Sequence, residues 1–197
     1  MPNGHYFDPS PAIPSRPRTV SLVLPDLTVE LVTDGGVFSA DAIDRGTKLL
    51  LLEGPAPPPG GALLDLGCGY GAIAVTLARR SPNAAVWAVD VNERARALAQ
   101  INAQTTAAGN VTVCSPDDVP SDLRFRAIYS NPPVRVGKAA LQELLAGWLS
   151  RLEPGGHAYL VVHKNLGSDS LAAWLGRSGW TVGRMGSRMG YRLLDVT

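Results

Sequence analysis

The sequence predicts an α/β fold: a doubly wound, mostly parallel seven-stranded sheet with an antiparallel strand near the C-terminus, preceded by an N-terminal β-hairpin plus helix. Three observations predict it. From Ala62 onward, short β-prone apolar runs alternate with helix-length segments, and strands joined through helices pair in parallel. The first strand-to-helix junction, ALLDLGCGYGAIA, carries Gly67, Gly69 and Gly71, which lets the backbone turn tightly and aims helix N–H groups at a ligand. The closing runs WTVGRM and YRLLDV are separated only by GSRMG, too short for a parallel crossover, so one of them opposes the rest.

Taken in order, the opening through Arg18 is proline-rich and polar and reads as an extended arm, with ten of the sixteen prolines lying before residue 60. VSLVLPDLTVELVT reads as a hairpin hinged at Pro25–Asp26. A turn, DGGVFS, leads to Asp41, which is expected to cap a helix reaching about Glu53, with Ile43, Leu49, Leu50 and Leu52 on its apolar side. GPAPPPGG ends that helix as a short stiff linker. The core then reads as strand ALLDLG, helix Tyr70 to Arg80, strand AAVWAVD, helix Glu93 to Ala108, and strands VTVC and FRAIYS. A helix from Lys138 to Leu152, strand HAYLVVH, a helix from Ser168 to Arg177 and the last two strands follow. The chain is read as one domain over residues 1–197: an arm over 1–18, hairpin, helix and linker over 19–60, and a catalytic core over 61–197.

With 197 residues, 45% of them hydrophobic, the chain suffices for one sizeable core. A net charge of +1 provides no overall field for nucleic acid, so any electrostatic footprint is local. Two isolated cysteines, Cys68 and Cys114, support neither a disulfide framework nor a zinc cluster. The start, MPNGHYFDPS, lacks the pattern of a secretory signal, and runs such as KLLLLE and AYLVV are too short to span a bilayer. A cytoplasmic protein with no membrane, metal or DNA partner is expected. The three histidines form no site by spacing. His157, His163 and His5 are read as structural, and Trp87, Trp148, Trp174 and Trp180 as packing.

The glycine turn also satisfies G-x-G-x-x-A, so a nicotinamide-dependent oxidoreductase must be weighed. Asp65, two residues before the first glycine, argues against it. A carboxylate there repels a pyrophosphate but suits a ligand bearing an ammonium and a sulfonium. Asp90 ends the next strand, where a carboxylate accepts hydrogen bonds from ribose hydroxyls. With these residues the chain resembles the class I S-adenosylmethionine-dependent methyltransferases, Asp65-Leu-Gly-Cys-Gly-Tyr-Gly looking like their first motif and Asp90 like their second. The resemblance implies a Rossmann-like sheet, S-adenosyl-L-methionine as cofactor, and a binding set of Asp65, Gly67, Cys68, Gly69, Gly71, Asp90 and Val91. An acid that contacts the cofactor adenine is expected after the third strand, where Cys114, Ser115, Asp117 and Asp118 compete.

SNPPVRVGK follows the strand FRAIYS, so Asn131 falls at the strand's C-terminal end, where ligands collect in open α/β sheets. The Asn131 side-chain oxygen and the Pro132 carbonyl form a pair of acceptors for the two hydrogens of an exocyclic amine. The prolines stiffen the backbone and remove competing donors. The stretch resembles the Asn-Pro-Pro-aromatic signature of enzymes that methylate adenine, guanine or glutamine amides, except that Val134 stands where an aromatic would stack.

GVFSADAIDRGTKLLL, SNPPVRVGK and the closing GYRLL together resemble the "methyltransferase small" family, whose best-known members methylate guanine N2 in 16S ribosomal RNA. By that resemblance Phe38, Ser39, Asp44, Gly46 and Thr47 line the cofactor side, beside Asn131. Arg126 departs from the acidic residue usual before the fourth strand. Pro133, Val134, Arg135 and Lys138 are expected to meet substrate. Arg177, Arg184, Arg188 and Arg192, with Arg16 and Arg18, add local positive charge suited to RNA phosphates. The expected partner is therefore ribosomal RNA or the small ribosomal subunit. Adenine N6 or a protein glutamine amide are alternative acceptors, and a non-catalytic RNA-binding module is an alternative of another kind.

Overall fold

The computed structural model describes residues 14–133 and 136–197, and everything below concerns these. The expectations placed on the first thirteen residues of the arm, His5 among them, and on Val134 and Arg135 lie outside the described residues.

Strands β1 (Arg18–Val23) and β2 (Thr28–Thr33) form the expected antiparallel hairpin, paired from Arg18 with Thr33 to Val23 with Thr28. Alternation places Val20, Leu22 and Leu31 inward, all buried. The hairpin docks through one amide. Asn102 accepts from the Val32 N–H at 2.7 Å and donates to the carbonyls of Val32 and Tyr70, both at 2.8 Å. Fully buried, Asn102 spends its hydrogen-bonding capacity on tying a strand edge to a helix.

Helix α1 spans Arg45–Glu53 rather than starting at Asp41. Asp44 is the N-cap, accepting from the backbone N–H of Gly46 at 2.8 Å and of Thr47 at 3.0 Å, while Asp41 pairs with Arg18. The proline linker is not a free spacer: its Pro58 carbonyl accepts from Ser81 and its Pro55 carbonyl from Tyr129.

The remaining elements are β3 (Gly61–Leu66), α2 (Ala72–Arg80), β4 (Ala84–Val89), α3 (Glu93–Thr105), β5 (Val111–Cys114), β6 (Phe125–Ser130), α4 (Lys138–Leu149), β7 (Leu152–His163), α5 (Ser168–Arg177), β8 (Val182–Arg188) and β9 (Tyr191–Val196). They build a seven-stranded sheet ordered β5-β4-β3-β6-β7-β9-β8, in which β9 runs antiparallel to both its neighbours. Glu-Pro-Gly-Gly does not lie outside β7 but within it. The pairing with β6 jumps from Phe125–Leu152 to Ala127–His157, a bulge made possible by Gly155 at φ +75°. The turn between β8 and β9 is shorter than GSRMG: β8 continues to Arg188, leaving Met189 and Gly190, both at positive φ, as the corner.

One face of the sheet is covered by the hairpin, α1, α2 and α3, and the other by α4 and α5, so two apolar layers sandwich the strands. Strand order reverses between β3 and β6, and the carboxyl ends of the strands flanking that point open a crevice. No helix among the described residues is long and apolar enough to cross a membrane.

Candidate functional site

The crevice is a cleft of about 210 Å³ over the carboxyl ends of β3, β4, β6 and β7. Its floor is the glycine turn. Gly67, Gly69 and Gly71 all sit at positive φ, and the N–H groups of Gly67 and Cys68 donate to the Val89 carbonyl at 2.9 and 3.0 Å. Gly71 has a second reason to lack a side chain, because a Cβ there would lie 3.2 Å from Ala99 of α3.

Asp90 lines the cleft and is braced on both oxygens. One accepts from the Gly69 N–H at 2.8 Å and the other from the Asn92 N–H at 2.9 Å. Burial pushes its carboxyl up from the ordinary range, opposed by these N–H groups and by the Arg96 charge. A carboxylate so held stands ready to take further donors such as ribose hydroxyls. Val91, Phe38, Gly67 and Gly69 line the same cleft.

Asp65 is placed otherwise. Expected to face a cationic ligand, it is fully buried, does not line the cleft, and accepts from the Ala74 N–H in the first turn of α2 at 2.9 Å. Its other oxygen has no hydrogen-bond partner among the described residues. Burial, aided by the Asp90 charge, pushes its carboxyl up to about 8. Asp65 therefore braces the first turn of α2, which underlies the glycine turn. Cys68 is buried as well, and burial followed by the Asp90 and Asp65 charges pushes its thiol well up, so it fills space beside a smaller cavity.

After β5 neither Cys114 nor Ser115 lines the cleft; Pro116 does. The Cys114 carbonyl accepts from the Asp90 N–H at 3.4 Å, and Ser115 is engaged with Asp118 in a local capping box. Gly46 contributes room rather than contact. It is buried, and a Cβ on it would meet the Tyr191 ring at 2.7 Å.

Asn131 lines both the cleft and the smaller cavity, and Pro132 and Pro133 line the cleft as well. Its Nδ2 donates to Asp44 Oδ1 at 2.6 Å and to Thr47 Oγ1 at 3.1 Å. Both amide hydrogens are thus directed at α1, which turns Oδ1 away from it. Lys138 is exposed at the start of α4 and does not line the cleft.

The cleft is also lined by Leu144, Trp148, His163, Leu166 and Tyr191. His163 and Trp148, read from sequence as structural, belong to it. The Nδ1 of His163 accepts from the Asn165 N–H at 3.2 Å, and its ring meets Tyr191 edge-on with centroids 4.8 Å apart. The available signal was position: His163 ends β7 at the sheet edge where Asn131 follows β6. The aromatic missing at residue 134 thus has counterparts supplied by other strands. His157 is the structural member, paired with Asp195 at 2.8 Å.

Three of the four C-terminal arginines, all but Arg177, are engaged in ion pairs among the described residues. Arg184 and Arg192 both pair with Asp169, and Arg188 reaches Glu53 at 2.8 Å. Arg126 pairs with Glu153 at 3.7 Å. Among the described residues no group of three or more His, Cys, Asp or Glu side chains is arranged to hold a metal.

With this geometry in view, comparison with known proteins is informative. The family model described as methyltransferase small domain matches residues 28–194. The chain is 33% identical over 169 residues to the uncharacterised protein YbxB of Bacillus subtilis, covering 84% of each. It is 38% identical over 156 residues to ribosomal RNA small subunit methyltransferase C of Pseudomonas putida, covering 74% of this chain and 45% of that one. Among solved structures, the T. thermophilus 16S rRNA N2 G1207 methyltransferase (RsmC), in complex with AdoMet and guanosine, matches with a TM-score of 0.77 and 27% identity, over 94% of this chain and 52% of that one. The chain thus spans about half the length of the ribosomal RNA methyltransferases it matches.

Proposed function

We infer the function from one premise: the chain belongs to the methyltransferase small domain family. We propose that it transfers a methyl group from S-adenosyl-L-methionine to an exocyclic amine of ribosomal RNA, guanine N2 of the small-subunit RNA being the acceptor. The observation that carries this reading is Asn131, its amide hydrogens taken up by Asp44 and Thr47 so that its oxygen is left for a donor in the cleft. The names of the relatives, and the AdoMet and guanosine bound to the structural neighbour, support cofactor and substrate class.

The residues present fit the cofactor. Asp90 is a half-buried, braced carboxylate able to accept ribose hydroxyls, and the bare glycine turn gives the ligand close approach to backbone. When bound, S-adenosyl-L-methionine supplies a methyl group on a positively charged sulfur. The protein's work is positional. The Asn131 oxygen and the Pro132 carbonyl accept the two hydrogens of the acceptor NH₂, which favours a pyramidal nitrogen whose lone pair is free to attack. One of those hydrogens leaves as a proton once nitrogen has gained its new bond, and the wet mouth of the cleft receives it. His163 and Tyr191 give the base ring aromatic faces to pack against. A base held in folded RNA must be unstacked to enter. A ribosomal substrate assigns the protein to the cytoplasm.

The test is transfer of labelled methyl to deproteinised ribosomal RNA, ribosomal subunits and release factors in parallel, with nucleoside mass spectrometry of the labelled RNA. N2-methylguanosine formed by the intact chain and abolished by Asn131→Ala is the expected outcome. Label in protein alone, or calorimetric binding of NAD in place of S-adenosylhomocysteine, overturns the reading.

A further inference from the structure

We propose that Asp44 is a positioning residue for the transfer: its carboxylate holds the Asn131 amide in the one orientation that presents oxygen, not NH₂, to the acceptor amine. This rests on the function proposed above and assigns Asp44, which the resemblance places on the cofactor side, a part in preparing the acceptor.

A side-chain amide has two ends of nearly equal shape and opposite hydrogen-bonding sense. An asparagine facing a polar cleft interconverts its two orientations by rotation about χ2, and only one of them offers an acceptor to an amine. At Asn131 the ambiguity is removed by charge. An ionised carboxylate only accepts, and Asp44 Oδ1 lies 2.6 Å from one end of the amide. Reversal would set oxygen against carboxylate oxygen. It would forfeit a charge-assisted bond whose ordinary strength corresponds to a population bias of about ten- to a hundredfold. Thr47 Oγ1, at 3.1 Å, takes a second bond from the same nitrogen.

Asp44 is itself held from three sides. The Gly46 and Thr47 N–H groups donate to the oxygen that faces Asn131, at 2.8 and 3.0 Å. Tyr191 lies beside the carboxylate, and burial followed by the Asp44 charge pushes the tyrosine's pKa up, so its hydroxyl stays protonated. Tyr191 comes this close only because residue 46 has no side chain to strike its ring. The first turn of α1, the end of β6 and the start of β9 therefore converge on one carboxylate, 87 residues in sequence from the amide it orients.

Two substitutions separate orientation from helix capping. Asp44→Ser keeps a good N-cap but is too short to reach Asn131. Asp44→Asn keeps both the cap and an oxygen where Oδ1 stands, because the Gly46 and Thr47 N–H groups force its amide oxygen toward them. Asp44→Ser leaves the two amide orientations about equally populated, so kcat for methyl transfer is expected to fall at least about twofold. S-adenosylhomocysteine affinity should stay unchanged by calorimetry, since a loss confined to transfer is what a positioning role predicts. Asp44→Asn should recover most of the rate. The side-chain amide of Asn131, observed by ¹⁵N NMR, should show exchange-protected hydrogens in the parent protein and in Asp44→Asn but not in Asp44→Ser. An unprotected Asn131 amide in the parent, a wild-type kcat in Asp44→Ser, or a kcat in Asp44→Asn as low as in Asp44→Ser overturns the proposal. If the parent methylates none of the candidate substrates, it is the function that falls, and the NMR comparison still decides whether Asp44 pins the amide.

Discussion

Replacing Asn131 by aspartate sets two carboxylates against each other at the wall of the cleft, and the cost can be worked from the geometry. The amide nitrogen lies 2.6 Å from Asp44 Oδ1, and both residues are half-buried. Allowing the new pair to relax to about 4 Å, with an effective dielectric of about 20 for a site near the surface, mutual repulsion is about 4 kcal/mol. Divided by 1.36 kcal/mol per pKa unit, that lifts the pair's second ionisation by about 3 units, from near 4 to near 7. The two groups titrate as a pair, sharing one proton between those values. The sign follows from linkage. Between about pH 4 and pH 7 the folded variant keeps a proton that the unfolded chain releases, so its stability relative to the parent falls as pH rises through that window and levels off above it. Urea unfolding of Asn131→Asp and the parent, at half-unit steps from pH 4.5 to 8.5, reads the difference directly, and other titrating groups cancel in it. The stability gap should widen by about 4 kcal/mol on going from acid to pH 7. A gap that is constant with pH, or largest in acid, refutes the placement of Asp44 against residue 131.

Two further outcomes are expected. Gly71→Ala places a Cβ 3.2 Å from Ala99 at a backbone φ of +88°, so it should lose about 1–3 kcal/mol, and the melting temperature should fall by about 2–4 °C per kcal/mol; an unchanged melting temperature contradicts the tight turn. Asp65 is pushed up to about 8, so from about pH 4 to that value the folded parent holds a proton the unfolded chain has lost, and the group's contribution declines with rising pH. Asp65→Asn removes this titration, and its stability should gain on that of the parent across the same interval; parallel denaturation profiles would show Asp65 to be solvated.

Much of the architecture was readable because it is local. The alternation of β-prone runs with amphipathic segments sets element type through side-chain periodicity, and the glycines of residues 67–71 announce a turn that needs positive φ. The discrepancies arose where local patterns compete. Asp41 is the expected cap, but Asp44, three residues on, accepts from the Gly46 and Thr47 N–H groups while Asp41 pairs with Arg18. Glu-Pro-Gly-Gly reads as a helix stop and a turn, but pairing with β6 carries it into a bulged strand.

The chain by itself determined the alternating order of elements, the glycine turn with an acid two residues before it and another ending the next strand, and an asparagine with two prolines at a strand end. Each is a matter of spacing within one or two elements. Tertiary structure alone decided which of those acids meets the cleft. Asp65 and Asp90 end neighbouring strands, yet one is enclosed beneath a helix and the other opens to the cavity. It also brought Asp44, His163 and Tyr191 to Asn131, across separations that no periodicity spans. The reason is that strand order, register and helix docking are set by the summed burial of two apolar layers. A side chain's neighbours across the sheet edge follow from that sum and not from the residues beside it in sequence.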